Sequence, residues 1–295
     1  MKFQMVERAN RENGIEINLA CETLEISRSG FYDWKTRPES ERALDNAKLV
    51  EKIKLVHSQS RGLYGSPRVT EALKNEGLVC GENRVAKLMN QNEIKSVTHK
   101  KFRVKTTDSN HNFPIAPREF KIEDAGTAIM APNQVWASDL TYVETEEGWL
   151  FLAIFLDLFT RKIVGFAMED HMRTEMVIEA LEMAIGRQDI LRDFLIVHSD
   201  QGVQFASNEF REKLDSEGMI PSMSRKANCY DNAFAESFFR SLKVELVYQN
   251  KFATREEAKK MIFEYIEVFY NRERLHSGIG YMTPIECEEM ALKAS

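Results

Sequence analysis

Apolar residues recur at helical spacing in the first third of the chain and give way to strand-like runs further on. Ile15 to Leu24 is apolar with a period near 3.6, and Ser27 stands as an N-cap before a second short helix, Arg28 to Lys35, which Pro38 ends. Two short helices around a tight turn predict a helix-turn-helix-like segment over residues 1–40. Ser66-Pro67 reads as an N-cap followed by proline at the first helical position, Val69, Ala72 and Leu73 form an inward stripe, and Gly77 closes that helix. Past Gly81 a further helix carries Val85, Leu88 and Met89 on one face and Arg84, Lys87 and Gln91 on another. A groove-reading helix needs this apolar back and polar front. A helical hairpin that is merely basic outside shows the same pattern, and the two readings stay open for the region 41–105.

The pattern then dissolves into polar residues with Pro114, Pro117 and Pro132, which predicts a linker over 106–131. Beyond it, Val135 to Val143, Trp149 to Phe159 and Lys162 to Met168 read as an antiparallel meander of strands. Thr174 to Ile185 is an amphipathic helix, Phe194 to Val197 a short buried strand, Asn208 to Glu217 a helix and Met219 to Met223 a last edge strand. Long helices follow at Asn232 to Leu246 and Arg255 to Tyr270. Three antiparallel strands, then helix, strand, helix and strand, is the element order of a ribonuclease H-like α/β fold: a mixed sheet of three antiparallel and two parallel strands flanked by helices. The core is placed at 132–246, with a helical extension over 247–295.

Composition narrows the class. The longest apolar stretch, Trp149 to Leu156, is too short to span a bilayer, and the first residues carry no signal-peptide core, so no membrane association is expected. Cys21, Cys80, Cys229 and Cys287 lie far apart with no C-x-x-C pair, which disfavours disulfides and cysteine-zinc sites and fits a reducing cytoplasm. Charge is uneven: residues 1–131 hold 22 Lys+Arg against 18 Asp+Glu, and residues 132–295 hold 18 against 28. Arg84 to Lys105 concentrates seven basic residues (Arg84, Lys87, Lys95, Lys100, Lys101, Arg103, Lys105) against Glu93 alone. That is a footprint for a polyanion, though a solvated charged face looks alike.

Three acids occupy telling places. Asp139 lies mid-strand, where a buried charge is costly unless compensated. Asp200 ends the fourth strand ahead of a glycine-containing loop, and Glu236 lies on a helix held by Phe234, Phe238 and Phe239. Each has a plain structural alternative: a buried arginine partner for Asp139, a turn cap for Asp200, an ion pair with Arg240 for Glu236. Gathered in one pocket, the three would repel one another unless divalent cations sat between them, and hard oxygen ligands suit Mg²⁺ or Mn²⁺. A pair of such ions roughly 3.5–4 Å apart serves in-line phosphoryl displacement.

Trp136-x-x-Asp139-x-Thr141-Tyr142, His198-Ser199-Asp200-Gln201-Gly202 and Asp231-Asn232-Ala233-x-x-Glu236-Ser237 resemble the motifs of DDE transposases, with 35 residues between Asp200 and Glu236. Tyr64-Gly65-x-Pro67-Arg68-Val69, Arg84-Val85-x-Lys87-Leu88-Met89, Ser27-Arg28-Ser29-Gly30-Phe31-Tyr32-x-Trp34 and Tyr270-Asn271-x-x-Arg274-x-His276-Ser277 with Gly280-Tyr281-x-Thr283-Pro284 are similar to segments of OrfB-type transposases of the third large family of bacterial insertion sequences. The resemblance spans nearly the whole chain. It implies a retroviral integrase-like core in which Asp139, Asp200 and Glu236 bind two Mg²⁺ (or Mn²⁺) ions and catalyse DNA strand cleavage and strand transfer. Lys243 falls where that family carries a basic residue and shares a helical face with Glu236 and Arg240, so Lys243 and Arg240 are expected to position a DNA end. Arg84, Lys87, Lys100, Lys101, Arg103 and Lys105 are expected to bind duplex DNA at element ends and target. The resemblance further implies an upstream OrfA partner or an OrfA–OrfB fusion, copies acting together on DNA, and a bacterial cytoplasmic, nucleoid-associated location.

Two rival functions share these features. A ribonuclease H-like nuclease would cut with the same acids without joining strands, and a DNA-binding regulator would retain the fold without turnover. The histidine–cysteine zinc module of retroviral integrases finds no match, because His57, His99 and His111 have no C-x-x-C partner. Arg274 and His276 carry no chemical assignment from sequence; core packing and helix capping are the bland readings.

Overall fold

A computed structural model describes residues 1–38, 40–97, 114–120, 129–224 and 233–294. Lys100, Lys101, Arg103, Lys105, Cys229, Asp231 and Asn232 lie outside the described residues. The chain divides into two compact units, 1–55 and 56–295.

The first unit opens with three helices, α1 (Lys2–Asn13), α2 (Ile17–Thr23) and α3 (Arg28–Thr36). They close over Val6, Ala20, Cys21 and Phe31, with Phe3, Ile17, Leu24 and Trp34 packed around them. Gly30 is small where α3 meets α1: an added Cβ would stand 3.4 Å from the Phe3 ring. Ser27 caps α3 as expected, its hydroxyl accepting from the Gly30 N–H at 3.2 Å. Helix α1 has no counterpart in the sequence reading, because it is polar nearly all round and buries only Val6 completely. A long helix, α4 (Glu41–Gln59), was not foreseen either; charges surround its buried Leu49, Val50 and Ile53.

In the second unit, α5 (Ser66–Asn75) and α6 (Glu82–Gln91) form the expected hairpin, burying Val69 and Leu73 on one helix and Val85, Leu88 and Met89 on the other. The cap is shifted by one residue: Gly65 is the N-cap of α5, Ser66 is the first helical residue and Pro67 the second. Thr70 is buried where the stripe had pointed to Ala72, which is only half-buried. The hairpin's entry is anchored on the C-terminal part of the same unit. The Tyr64 hydroxyl donates to the Glu273 carbonyl at 3.0 Å and accepts from the Leu275 N–H at 2.8 Å, and Arg68 Nε donates to the Leu275 carbonyl at 3.0 Å.

The sheet has five strands, β1 (Val135–Thr145), β2 (Gly148–Asp157), β3 (Ile163–Glu169), β4 (Ile196–Ser199) and β5 (Ile220–Met223), in the order β3-β2-β1-β4-β5. The first three are antiparallel neighbours, while β4 pairs parallel to β1 and β5 parallel to β4, the expected mixed topology with β5 at an edge. Helix α7 (Thr174–Arg187) covers one face, where Val177, Leu181 and Ala184 pack with Trp136, Ala153 and Phe155. Gly165 lets this helix approach β3 closely; a Cβ there would lie 2.2 Å from the Ala180 carbonyl oxygen. A one-turn helix α8 (Val203–Ala206) and α9 (Asn208–Ser216) lead to β5. Helices α10 (Ala233–Glu245) and α11 (Arg255–Glu264) pack on β1 and β2. The single helix expected to Tyr270 instead widens into a π-helical segment, Tyr265–Tyr270, which turns Tyr265, Ile266, Phe269 and Tyr270 all inward.

Residues 114–120, within the stretch read as a linker, pack along β5. Ala116 and Phe120 are buried, and the N–H groups of Glu119 and Phe120 both donate to Ser222 Oγ at 3.1 Å. The last helix, α12 (Pro284–Ala294), starts with a capping box: Thr283 Oγ1 accepts from the Glu286 N–H at 3.2 Å while Glu286 accepts from the Thr283 N–H at 2.8 Å. Among the described residues no helix is long and apolar enough to cross a membrane.

Candidate active site at the open edge of the central strand

Register places the first two acids. Strands β1 and β4 run parallel, paired through Val135↔Ile196, Trp136↔Val197 and Ala137↔His198. Two residues beyond the last pair stand Asp139 and Asp200, so the acids lie at the same level, Asp200 just past the carboxyl end of β4 and Asp139 beside it in the middle of β1, where the pairing with β4 stops. This is where α/β folds collect their ligands. On its other side Asp139 is paired with Ile154 of β2, which fixes the backbone it stands on.

Local hydrogen bonds set each carboxylate. Asp139 Oδ1 accepts from the Leu140 N–H at 2.7 Å, and Asp200 Oδ1 accepts from the Gly202 N–H at 2.9 Å. Gly202 leaves this carboxylate undisturbed, since a Cβ there would stand 2.9 Å from that same oxygen and push it aside. Asp200 is thus a turn cap as well as a candidate ligand. Gln201 Nε2 donates to the Ser224 carbonyl at 2.9 Å and ties the loop to the end of β5. Glu236 comes from the first turn of α10, where Ala235, Phe238 and Phe239 are buried and Glu236 itself is exposed. Arg161 stacks its guanidinium on the Phe234 ring, 3.7 Å from the centroid, two residues before Glu236.

Electrostatics show that these groups share one field. The Asp139 carboxyl lies deep among protein atoms although the residue keeps an opening to solvent. Burial pushes its pKa well above the ordinary carboxylate value, and the charges of Asp200 and Glu236 push it the same way, against the Leu140 N–H and the Lys243 ammonium. Glu236 is also raised, by desolvation. Lys243 is lowered by burial and supported by Asp139. Its Nζ lies over the Tyr142 ring, 5.3 Å from the centroid, and Tyr142 in turn meets Trp149 edge-on at 4.7 Å.

Asp200, Glu236 and Lys243 thus all act on the Asp139 carboxyl. The three carboxylates do not all come within 4.8 Å of one another; among the described residues the acid and histidine ligand atoms that do so belong to Glu169, Asp170 and His171, after β3. No ion pair joins Asp139 to an arginine, or Glu236 to Arg240, among the described residues. Arg240 is exposed on α10. Of the basic candidates on α6, Lys87 is exposed and Arg84 half-buried. The donor set suits a hard divalent cation: carboxylate oxygens accumulate negative charge, and Lys243 offsets part of it at Asp139.

Sequence reasoning left Tyr142 without a role, although its motif was noted; an aromatic residue three places after Asp139 was the available signal. Asp157 illustrates the contrast with the candidate ligands. It is buried, and its carboxylate is fully employed by the Asn133 N–H, the Thr160 N–H and the Thr160 hydroxyl at 2.7–2.8 Å.

The family matches define the class, an integrase core preceded by an HTH-like helical region. Residues 130–229 and 236–292 match two integrase core domain families, and residues 43–102 match an HTH-like domain family. A 31 kDa protein of insertion element IS600 from Shigella sonnei is 42% identical over 91% of this chain and 97% of that protein. The transposase of insertion sequence IS904 from Lactococcus lactis is 40% identical over 86% of this chain and 98% of its own. Transposase InsF of insertion sequence IS3A from Escherichia coli is 33% identical, covering 99% of this chain and all of its own. The chain belongs to the IS3 family of insertion-sequence transposases, whose function is transposition by DNA integration.

Proposed function

We propose that Asp139, Asp200 and Glu236 are the catalytic carboxylates, that they hold two Mg²⁺ (or Mn²⁺) ions, and that the chain cleaves and joins DNA strands with them. One observation carries the reading: Asp139 and Asp200 stand side by side where the parallel pairing of β1 with β4 stops, and Asp200 and Glu236 both act on the Asp139 carboxyl. Divalent cations, when bound, supply the Lewis acidity that an in-line displacement at phosphorus needs. The chain's own groups do the rest. Asp139, in the middle of β1, and Asp200, just past the end of β4, are each fixed by a backbone N–H donor and present their oxygens from the sheet. Glu236 presents a third from a helix held by buried phenylalanines. Lys243, seated on Tyr142, carries a positive charge beside Asp139 and suits a phosphate of the DNA end. No covalent protein–DNA bond is required, so no serine or tyrosine nucleophile is assigned.

The exposed Lys87, with Arg84, supplies duplex contacts from α6, and Lys100, Lys101, Arg103 and Lys105 extend that basic segment; Arg240 adds to the DNA end. Double-stranded DNA of element ends and target is the substrate, copies of the chain assemble on it, and an OrfA protein or OrfA–OrfB fusion completes terminal recognition in the bacterial cytoplasm. The net −10 of residues 132–295 supports binding through a few basic patches with marked salt dependence. The test is an incubation of the full chain with Mg²⁺, a pre-cut element end and a target plasmid. Joined products support a transposase; cleavage without joining supports a plain nuclease, and binding without either supports a regulator.

A further inference from the structure

The HTH-like family match begins at residue 43 and leaves α1, α2 and α3 unassigned. Helices α2 and α3 nonetheless repeat the build of α5 and α6. Each pair is joined by a short turn containing a left-handed residue, Glu25 at φ 51° in one and Gly77 at φ 82° in the other. In each pair the second helix has an apolar back and a polar front. On α3 the back is Phe31 and Trp34, locked against Phe3 of α1, whose ring stacks on Trp34 at 5.8 Å between centroids. The front is Arg28, Ser29, Tyr32, Lys35 and Thr36, all exposed, with residues 28, 32 and 35 at i, i+4 and i+7 on one face. Tyr32 is 41% exposed and carries the Arg28 guanidinium over its ring, 5.8 Å from the centroid. Arg37 follows directly, and Asp33 is the only acid on the helix.

The left-handed residue closes the first helix of each pair in the same way: past Glu25 the Ile26 N–H donates to the Cys21 carbonyl at 3.0 Å, and past Gly77 the Leu78 N–H donates to the Leu73 carbonyl at 3.0 Å. A nine-residue helix presented in this way, cationic and hydroxyl-bearing on its outer face, fits the major groove of duplex DNA: Arg28 and Lys35 flank the stripe as phosphate contacts, and Ser29 and Tyr32 face the base edges. We propose that α3 is a second duplex-DNA-binding helix, separate from α6. The inference rests on the reading that the chain acts on duplex DNA.

The experiment measures binding of the full chain to a fluorescein-labelled 40-base-pair duplex across a salt series. The Arg28→Ala/Lys35→Ala variant is expected to lower the slope of log affinity against log salt by about 1.8, for two phosphate contacts. Lys87→Ala, on α6, serves as the independent comparison. Asp33→Asn is expected to bind more tightly, a gain that misfolding would not produce. An unchanged slope in Arg28→Ala/Lys35→Ala with a lowered slope in Lys87→Ala overturns the assignment of α3 while leaving DNA binding through α6 intact. Absence of duplex binding by the unaltered chain overturns the DNA reading itself and this inference with it.

Discussion

Arg274 holds the carboxylate of Glu245 along both edges, with Nη2 2.7 Å from Oε1 and Nε 2.9 Å from Oε2. Glu245 is the last residue of α10, the helix that carries Glu236 and Lys243, and it also accepts from the Tyr265 hydroxyl at 2.7 Å. Burial works against the Arg274 charge, yet the hydrogen bonds and charge of Glu245 outweigh it and raise the guanidinium pKa. The C-terminal signature is therefore a strut. Asn271 completes it by exchanging two 3.0 Å hydrogen bonds with the Ile163 backbone at the start of β3.

Removing one member of this buried pair leaves the other charge uncompensated. Arg274→Ala or Glu245→Ala should each destabilise the second unit by about 3–5 kcal/mol, and Arg274→Met/Glu245→Leu by clearly less. Denaturant midpoints of the variants check this.

His276 sits behind the strut. Its Nδ1 lies 3.4 Å from Arg274 Nη1 and its Nε2 3.4 Å from the Tyr270 carbonyl, so the tautomer protonated on Nε2 satisfies both. Burial, and then the Arg274 charge, lower its pKa to about 3. The unfolded chain takes up this proton near pH 6.5, whereas the folded chain holds it off until about 3. His276 therefore contributes stability that is present above pH 6.5 and is lost as pH falls through that window, at a limiting slope of about 1.4 kcal/mol per pH unit. Melting curves between pH 7.5 and 5 should show this slope in the unaltered chain and a shallower one in His276→Gln; equal slopes would refute it.

At Gly165 the close packing of α7 on β3 leaves no room for a methyl group. Gly165→Ala should cost about 1–3 kcal/mol or more through overpacking. Thermal melting measures it, and an unchanged midpoint would mean that α7 can draw back freely.

Lys243 offers a prediction on activity rather than stability. Its ammonium rests on the Tyr142 face and beside Asp139. Lys243→Ala should slow strand joining by about 10²-fold, and Tyr142→Leu should reproduce part of the loss while Tyr142→Phe, which keeps the ring, should not. A joining assay on a pre-cut end separates the three.

Much of this was legible in the order of residues, for physical reasons that differ by element. The strands carry long apolar runs because both faces of the sheet are covered, so β1, β2, β3 and β5 fall within a few residues of their expected limits. Asp139 stood out because a charge mid-strand in an apolar sheet is anomalous, whereas Asp200 and Glu236 were singled out by the motifs they share with DDE transposases. Helices α1 and α4 were not legible, since each buries a narrow stripe beneath a charged surface. The shift of the α5 cap from Ser66 to Gly65 is the one-residue ambiguity that a Gly-Ser-Pro sequence allows. Arg274 and His276 were opaque because the partner of Arg274, Glu245, is 29 residues away and meets it only through the π-helical turn of the C-terminal extension.

The central claim is that three acids act as one centre. Asp139→Asn, Asp200→Asn and Glu236→Gln each change charge with little change in shape, so binding of the duplex should persist in all three. In a Mg²⁺-dependent joining reaction of a pre-cut element end to target DNA, each variant should give no joined product while the unaltered chain does. Full joining by any one of them would contradict the account.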